Sequence, residues 1–577
     1  MKSIYLLLCS IIIVISFNSF SSDKMTSEQA YDKAQQLRNE ANLIVDNKPE
    51  KAGLAQAEDS LVKALTFVRQ ENIKAMYSSN KYLAARQWDI LRDLIKVNSM
   101  QKDKVEAVMY LKDLSASGNG LYWVAEDEAI VSLLGGNILF KNIVAKEQAW
   151  ARIQSTKNFN SNYQQNISDT EKLAGLSLLW AEIKQGFVFF DQVPQLNWDE
   201  KFKEFIPIVL KTVSTKEYYD ELIRMIAQLK DAHTNVYYPR ELYKKTYSRP
   251  PLRATLINGN VIVTDIYSDL LRSTGLEVGD EILRVDNLEV HKFVQSKVMP
   301  FQSSSTPQDL DVRSYTYALL SGDSQQPVIL KIKKKDGSFR TMSILRKEYG
   351  DEKYPATNSF KLINDKYAYF RTNSFSSNET VLSFEKIIPN LDKAEGLIID
   401  IRNNGGGSSD IGFKILSFLT KKNIVGSMSF SRKNNPVERA WGNYSTSWEK
   451  LEESTFSNNQ EYTFNKPVIV LAGAKTFSAA EDFLIAFKQL NRGLIIGEIT
   501  GGSSGQPLLF SLPGGGTARV CVKREKYQSG EDWVGTGISP DIVVKPSIFD
   551  IQNDLDPVLK KALLMFKNTF PVYNEKL

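Results

Sequence analysis

Gly396-Leu397-Ile398-Ile399-Asp400-Ile401-Arg402-Asn403-Asn404-Gly405-Gly406-Gly407 is the stretch on which the fold turns. Its apolar first half reads as a strand buried on both faces, as happens in parallel sheets covered by helices. The glycines that follow lack a Cβ, so backbone amides there can approach a ligand closely. Working outward, residues 410–419 predict a helix, Val468-Ile469-Val470-Leu471 a second buried strand, and residues 479–490 a second helix. Strand and helix alternating over residues 359–544 predict a mostly parallel sheet with helical cover.

Ser478 falls between the second strand and its helix, in Lys475-Thr476-Phe477-Ser478-Ala479-Ala480-Glu481. The free amides of a helix N-terminus favour negative charge developing beside it. Ser478-x-x-Glu481 is equally a capping box, in which the two side chains satisfy the first amides of the helix. The glycine cluster tips the balance toward chemistry. Amides of Gly405, Gly406 and Ala479 can form an oxyanion hole, and such donors are worth on the order of 100- to 1000-fold in rate. A phosphate loop is the rival reading, but the cluster lacks both the Lys-[ST] of a P-loop and the G-x-G-x-x-G of a dinucleotide site.

Upstream, residues 176–190, 198–213 and 215–229 read as three helices ending at Lys230-Asp231-Ala232-His233-Thr234, with a strand at residues 235–238. Only two histidines occur, His233 and His291, which excludes a His- or Cys-rich zinc site, and no metal or organic cofactor is implied. Residues 250–346 turn β-rich. There Gly275-Leu276-Glu277-Val278-Gly279-Asp280-Glu281-Ile282-Leu283 resembles the glycine turn and strand of PDZ domains, which hold extended peptides at a sheet edge.

Three segments together resemble the core motifs of the serine peptidase family of carboxy-terminal processing proteases and the tricorn core protease. They are residues 397–407, Thr476-Phe477-Ser478-Ala479-Ala480-Glu481, and Gly537-Ile538-Ser539-Pro540-Asp541-Ile542. The likeness spans about residues 173–544 and implies a crotonase-like (ClpP/crotonase) α/β catalytic core with a PDZ-like domain upstream. It implies Ser478 as nucleophile. In the processing branch a lysine base follows within Gly-x-x-Thr-x-Gly-Lys-Gly, but here the segment reads Gly497-Glu498-Ile499-Thr500-Gly501-Gly502-Ser503-Ser504. The tricorn-like branch takes its base from a histidine motif, here His233, whose ordinary pKa near 6.5 suits proton transfer at neutral pH. Two departures concern the acid that orients the base: Ala232 stands where that branch has a serine, and Val534 where it has its acid. Glu531 is the substitute expected, with Asp532 beside it; an exposed charged turn is the competing reading. His291 is expected at the surface.

The chain therefore reads as multidomain α+β. Its segments are a signal peptide (1–22), a helical tetratricopeptide-like region (23–154), a helical segment with the His motif (171–249), the PDZ-like β domain (250–346), the catalytic core (359–548), and a C-terminal helix and tail (549–577). Polar residues 155–169 read as a linker. Met1-Lys2 and the apolar run from Ile4 to Phe17 have the layout of an export signal too short to span a bilayer, with an uncleaved anchor as the alternative. Cys9 lies in that run, which leaves Cys521 as the one cysteine of the mature chain and no internal disulfide. Net charge is +5 from interspersed residues, which gives no footprint for nucleic acid.

The function expected is an exported, periplasmic or secreted serine endopeptidase acting on peptide or unfolded protein. A non-catalytic peptide- or ligand-binding protein on the same scaffold is the alternative. The helical N-terminal region, as a dock for a protein partner or a plain spacer, is the third reading.

Overall fold

The computed structural model describes residues 25–569 except 48–49, 78–79, 118–120, 155–158, 452–454 and 459. The export signal expected at the N-terminus lies outside the described residues. Two compact units are present, one comprising residues up to 155 and the other residues from 156 onward.

The first unit is helical, built from Ser27–Asp46, Lys51–Val68, Lys81–Met100, Lys104–Ser117 and Ile138–Gln154 with shorter helices between them. The three- and four-residue apolar steps face inward: Ala57, Leu61, Ala64, Leu65 and Val68 are all buried. Leu91, Leu94 and Leu111 meet them in one core.

In the second unit a six-stranded sheet runs in the order Ile542–Val543, Gly493–Gly497, Val468–Ala472, Gly396–Asp400, Tyr367–Thr372, Asn358–Ile363. Neighbours are parallel except the last pair. Both faces are covered, which is why its central strands are continuously apolar. Leu397, Ile399, Val468 and Val470 point into one core with the helices Ser409–Ser417 and Ala479–Gln489. Ile398, Ile469 and Leu471 point into the other, with Phe566 of the helix Pro557–Thr569.

An antiparallel β unit precedes this sheet, with strands Leu252–Ile257, Asn260–Ile266, Glu281–Val285, Pro327–Lys333 and Phe339–Leu345 in spatial order. The helices Asp169–Gly186, Trp198–Leu210 and Thr215–Ala227 lead to Asn235–Tyr237, which pairs antiparallel with Thr517–Cys521. That pairing anchors the His233 segment to the core. The polar stretch read as a linker is instead tied down in its second half. Ser161 Oγ accepts from the Gly514 amide, Gln165 O accepts from the Thr215 amide, and Ile167 is buried. Its backbone groups found partners, a possibility that polar composition conceals.

Candidate active site

Ser478 adopts φ 57° and ψ −127°, a region costly for a residue with a Cβ and held only where the surroundings impose it. The constraints can be traced. The Phe477 amide donates to Asn404 O at 3.0 Å, the Ser478 amide to Ser503 O at 3.1 Å, and Thr476 Oγ1 to Ile401 O at 2.9 Å. They turn the hydroxyl toward His233, whose Nε2 lies 3.0 Å from Ser478 Oγ across 245 positions of sequence.

His233 is held from several sides. The Cys521 amide donates to Thr234 Oγ1 at 3.1 Å, Thr234 Oγ1 donates to Asp231 Oδ2 at 2.6 Å, and Arg519 Nε donates to Asn235 Oδ1 at 2.8 Å. The imidazole stacks on Phe477 with ring centroids 4.9 Å apart and planes 7° from parallel. Arg313 lies 5.3 Å from the centroid of that Phe477 ring. His233 Nδ1 meets Ser503 Oγ at 2.8 Å. Burial, then the charges of Arg519, Arg313 and Lys523, hold the imidazole well below its ordinary pKa. The ring is therefore neutral at neutral pH. With Nδ1 protonated toward Ser503, Nε2 is free to accept the serine proton.

Glu481 ties the loops together. Its carboxyl accepts from the amides of Ser478 at 3.1 Å, Ser503 at 3.0 Å and Gly502 at 2.7 Å, and from the Thr500 hydroxyl. Burial pushes this carboxyl up to about 8, against the pull of those four donors. The capping box is present, with the glutamate serving the Ser478 amide and the serine side chain facing the Glu481 amide, and the same hydroxyl also meets His233.

The amides of Gly405 and Ala479 have no hydrogen-bond partner among the described residues, as an oxyanion hole requires. The Gly406 amide is taken, donating to Asn404 Oδ1 at 2.9 Å, so it is removed from the expected donor set. What Gly406 supplies is closeness. Its φ is +92°, and a Cβ there would stand 2.7 Å from Phe477 O and 2.8 Å from Ser478 Cβ.

Glu531 does not reach the histidine. It is exposed in a turn closed by the Tyr527 amide donating to Glu531 O at 2.9 Å. Asp532 pairs with Arg524 at 2.8 Å and Lys526 at 3.2 Å. The orienting contact expected of Glu531 is made by Ser503, which sequence reasoning missed. One signal was available, since Ser503 stands where the processing-branch pattern has its lysine. His291 is half-buried in the β unit, its Nδ1 2.8 Å from the Tyr315 hydroxyl, away from this chemistry.

A serine hydroxyl on a strained turn, a neutral imidazole at hydrogen-bonding distance and two free amides beside it are the parts of a serine-type peptidase, a hydrolase. Comparison with known proteins agrees. Residues 366–544 match Peptidase family S41. It is 27% identical over 255 residues to the chloroplastic C-terminal processing peptidase of Tetradesmus obliquus, covering 42% of this chain and 51% of that one. It is 24% identical over 392 residues to the carboxyl-terminal-processing protease of a Picosynechococcus strain, covering 66% and 84%. With the tricorn protease of Thermoplasma volcanium it shares 23% identity over 341 residues, covering 53% and 28%. The chain thus spans about half the length of the first of these relatives. Mature CPAF, solved in complex with lactacystin, shares the fold with a TM-score of 0.56 at 16% identity, over 70% of this chain and 99% of that one.

Proposed function

We propose that the protein is an exported serine endopeptidase that hydrolyses peptide bonds through an acyl-enzyme. The observation that carries the reading is the 3.0 Å contact between His233 Nε2 and Ser478 Oγ. Ser478 Oγ attacks the scissile carbonyl as His233 Nε2 takes its proton. The carbonyl oxygen, now negative, is received by the amides of Gly405 and Ala479. The C–N bond breaks as the imidazolium returns the proton to the leaving amine, and water, deprotonated by the same nitrogen, frees the acyl group. Ser503 accepts from Nδ1–H and keeps the ring in the tautomer this sequence needs.

The β unit is read as PDZ-like and the six-stranded sheet with its helices as crotonase-like. The first would hold an extended peptide or unfolded protein by strand addition while the second cuts it. Export rests on the apolar N-terminal run, and the first unit is read as a helical dock for a protein partner.

One feature favours the second reading, a binding protein without turnover: the Nδ1 partner is a neutral hydroxyl, and among the described residues no carboxylate is hydrogen-bonded to the ring to stabilise an imidazolium. Labelling by a serine-directed fluorophosphonate, with casein digestion by the parent and by Ser478→Ala, separates the two. Labelling and digestion lost in the variant support the peptidase. A parent that neither labels nor digests, yet binds peptide, establishes the binder.

A further inference from the structure

Beside the nucleophile lies a buried acid cluster that the mechanism does not use. Asp482, in the first turn of the helix after Ser478, accepts from Ser409 Oγ at 2.6 Å and faces Ser504 Oγ at 3.4 Å. Ser409 begins the helix that follows the Gly405–Gly406–Gly407 loop. Ser504 adjoins Ser503, the partner of His233. One carboxyl therefore bridges the loop that carries the oxyanion donor and the loop that orients the base.

Asp482 also faces the carboxyl of Glu525. Both residues are buried, and Glu525 Oε2 has no hydrogen-bond donor among the described residues. Lys523 Nζ lies 2.7 Å from Glu525 Oε1 and is the cation of the group. The remaining neighbours do not balance the charge. Glu481, on the same helix, directs its carboxyl to Thr500, Gly502, Ser503 and Ser478. The Cys521 thiol is held neutral by burial, and Asp410, next to Ser409, is exposed. Two ionised carboxylates against one ammonium would leave an uncompensated negative charge on two buried side chains, a costly arrangement. A single proton cancels it and gives the orphaned Glu525 oxygen its donor.

We propose that Asp482 and Glu525 share one proton, and that this proton keeps the oxyanion loop and the histidine-orienting loop in register, making Asp482 a positioning residue for the peptidase reaction. As pH rises the proton passes to solvent, the two carboxylates repel, and Asp482 gives up its grip on Ser409 or Ser504. Burial, then the charge of Glu525, push the Asp482 carboxyl above its ordinary range, so the loss falls on the alkaline side. This inference rests on the peptidase reading.

The test is the pH profile of kcat/KM for the full chain, its Asp482→Asn variant and its Glu525→Gln variant, joined to an infrared titration of protonated carboxyl in the Ser478→Ala protein with and without Asp482→Asn. In the parent the alkaline limb follows loss of the shared proton. Asp482→Asn should move that limb by about one pH unit or more, or abolish it, while losing about tenfold or less at neutral pH. Glu525→Gln should move it too, which keeps the test open if the first variant does not fold. An alkaline limb unchanged in a folded variant overturns the proposal, since a merely structural residue would lower activity equally at every pH. The infrared arm needs no turnover. A protonated-carboxyl band that Asp482→Asn removes establishes the shared proton, and its absence overturns the proposal even if the peptidase reading holds. A band present in a parent without turnover defeats the peptidase reading and, with it, the proposed coupling.

Discussion

Ser503 Oγ lies 2.8 Å from His233 Nδ1, on the far side of the ring from Ser478, and Ser503 O also accepts from the Ser478 amide at 3.1 Å. One residue thus touches both the base and the backbone of the nucleophile. Ser503→Ala removes the first contact and keeps the second. We expect kcat to fall by about 10- to 100-fold with folding unchanged, less than the roughly 10⁴ lost where a buried carboxylate is removed from a triad. Steady-state kinetics beside circular dichroism checks this, and a loss under about threefold would show that the hydroxyl does not orient the ring.

The acid limb of the pH profile follows from the state of His233. Burial and the nearby Arg519, Arg313 and Lys523 hold its pKa below the ordinary 6.5, so activity should persist below that pH. Ser503→Asp sets a carboxylate against Nδ1, stabilises the imidazolium and should move the acid limb of kcat/KM to higher pH. A limb that stays in place in that variant would mean that another group controls it.

Gly405 and Gly406 should respond differently to a single methyl group. Nothing lies within 4 Å of a Cβ at Gly405, and its φ is not in the positive range, so Gly405→Ala keeps the fold and its free amide. At Gly406 the φ of +92° and the contact with Phe477 O resist any side chain. Gly406→Ala should lower turnover by about 100-fold or more, through displacement of the nucleophile by a fraction of an ångström. Equal turnover in the two variants would contradict this arrangement.

Glu481→Gln replaces one acceptor oxygen with an N–H donor in a place where four donors converge. It should cost about 2 kcal/mol of stability, read from urea unfolding at about pH 5. The parent carries a pH dependence with a definite sign. Its folded carboxyl is raised to about 8 from the usual 4.5, so the folded state binds the proton more tightly than the unfolded chain. The stability is fully present below about 4.5 and is lost as pH rises toward about 8. Unfolding curves at the two ends of that window should differ in the parent and converge in Glu481→Gln.

Ser478 and His233 act as one unit in the proposed mechanism. Each alanine replacement should remove nearly all activity, about 10⁶-fold in well-behaved serine peptidases, and the double variant should add little. Losses that multiply would show independent roles.

Local sequence determined the elements and two of the groups that do the chemistry. Continuous apolar runs at residues 397–399 and 468–471 can only be buried on both faces, so the parallel sheet and its helical cover followed from composition and order alone. Ser478 and His233 were legible because each sits in a motif whose meaning is carried by its immediate neighbours. The groups that orient and brace them were not. Ser503 meets His233, Asp482 meets Ser409, and Glu481 meets Thr500, Gly502 and Ser503 across segments apart in the chain; only the contact of Glu481 with the Ser478 amide follows from local spacing. Glu531 was chosen for nearness in sequence to a motif, but its turn projects it into solvent, whereas the loop of residues 497–505 folds back against His233. Whether a glycine amide is free was equally invisible: Gly405 and Gly406 are identical in sequence terms, and only the Asn404 side chain, turned inward by the packed loop, takes one donor and leaves the other.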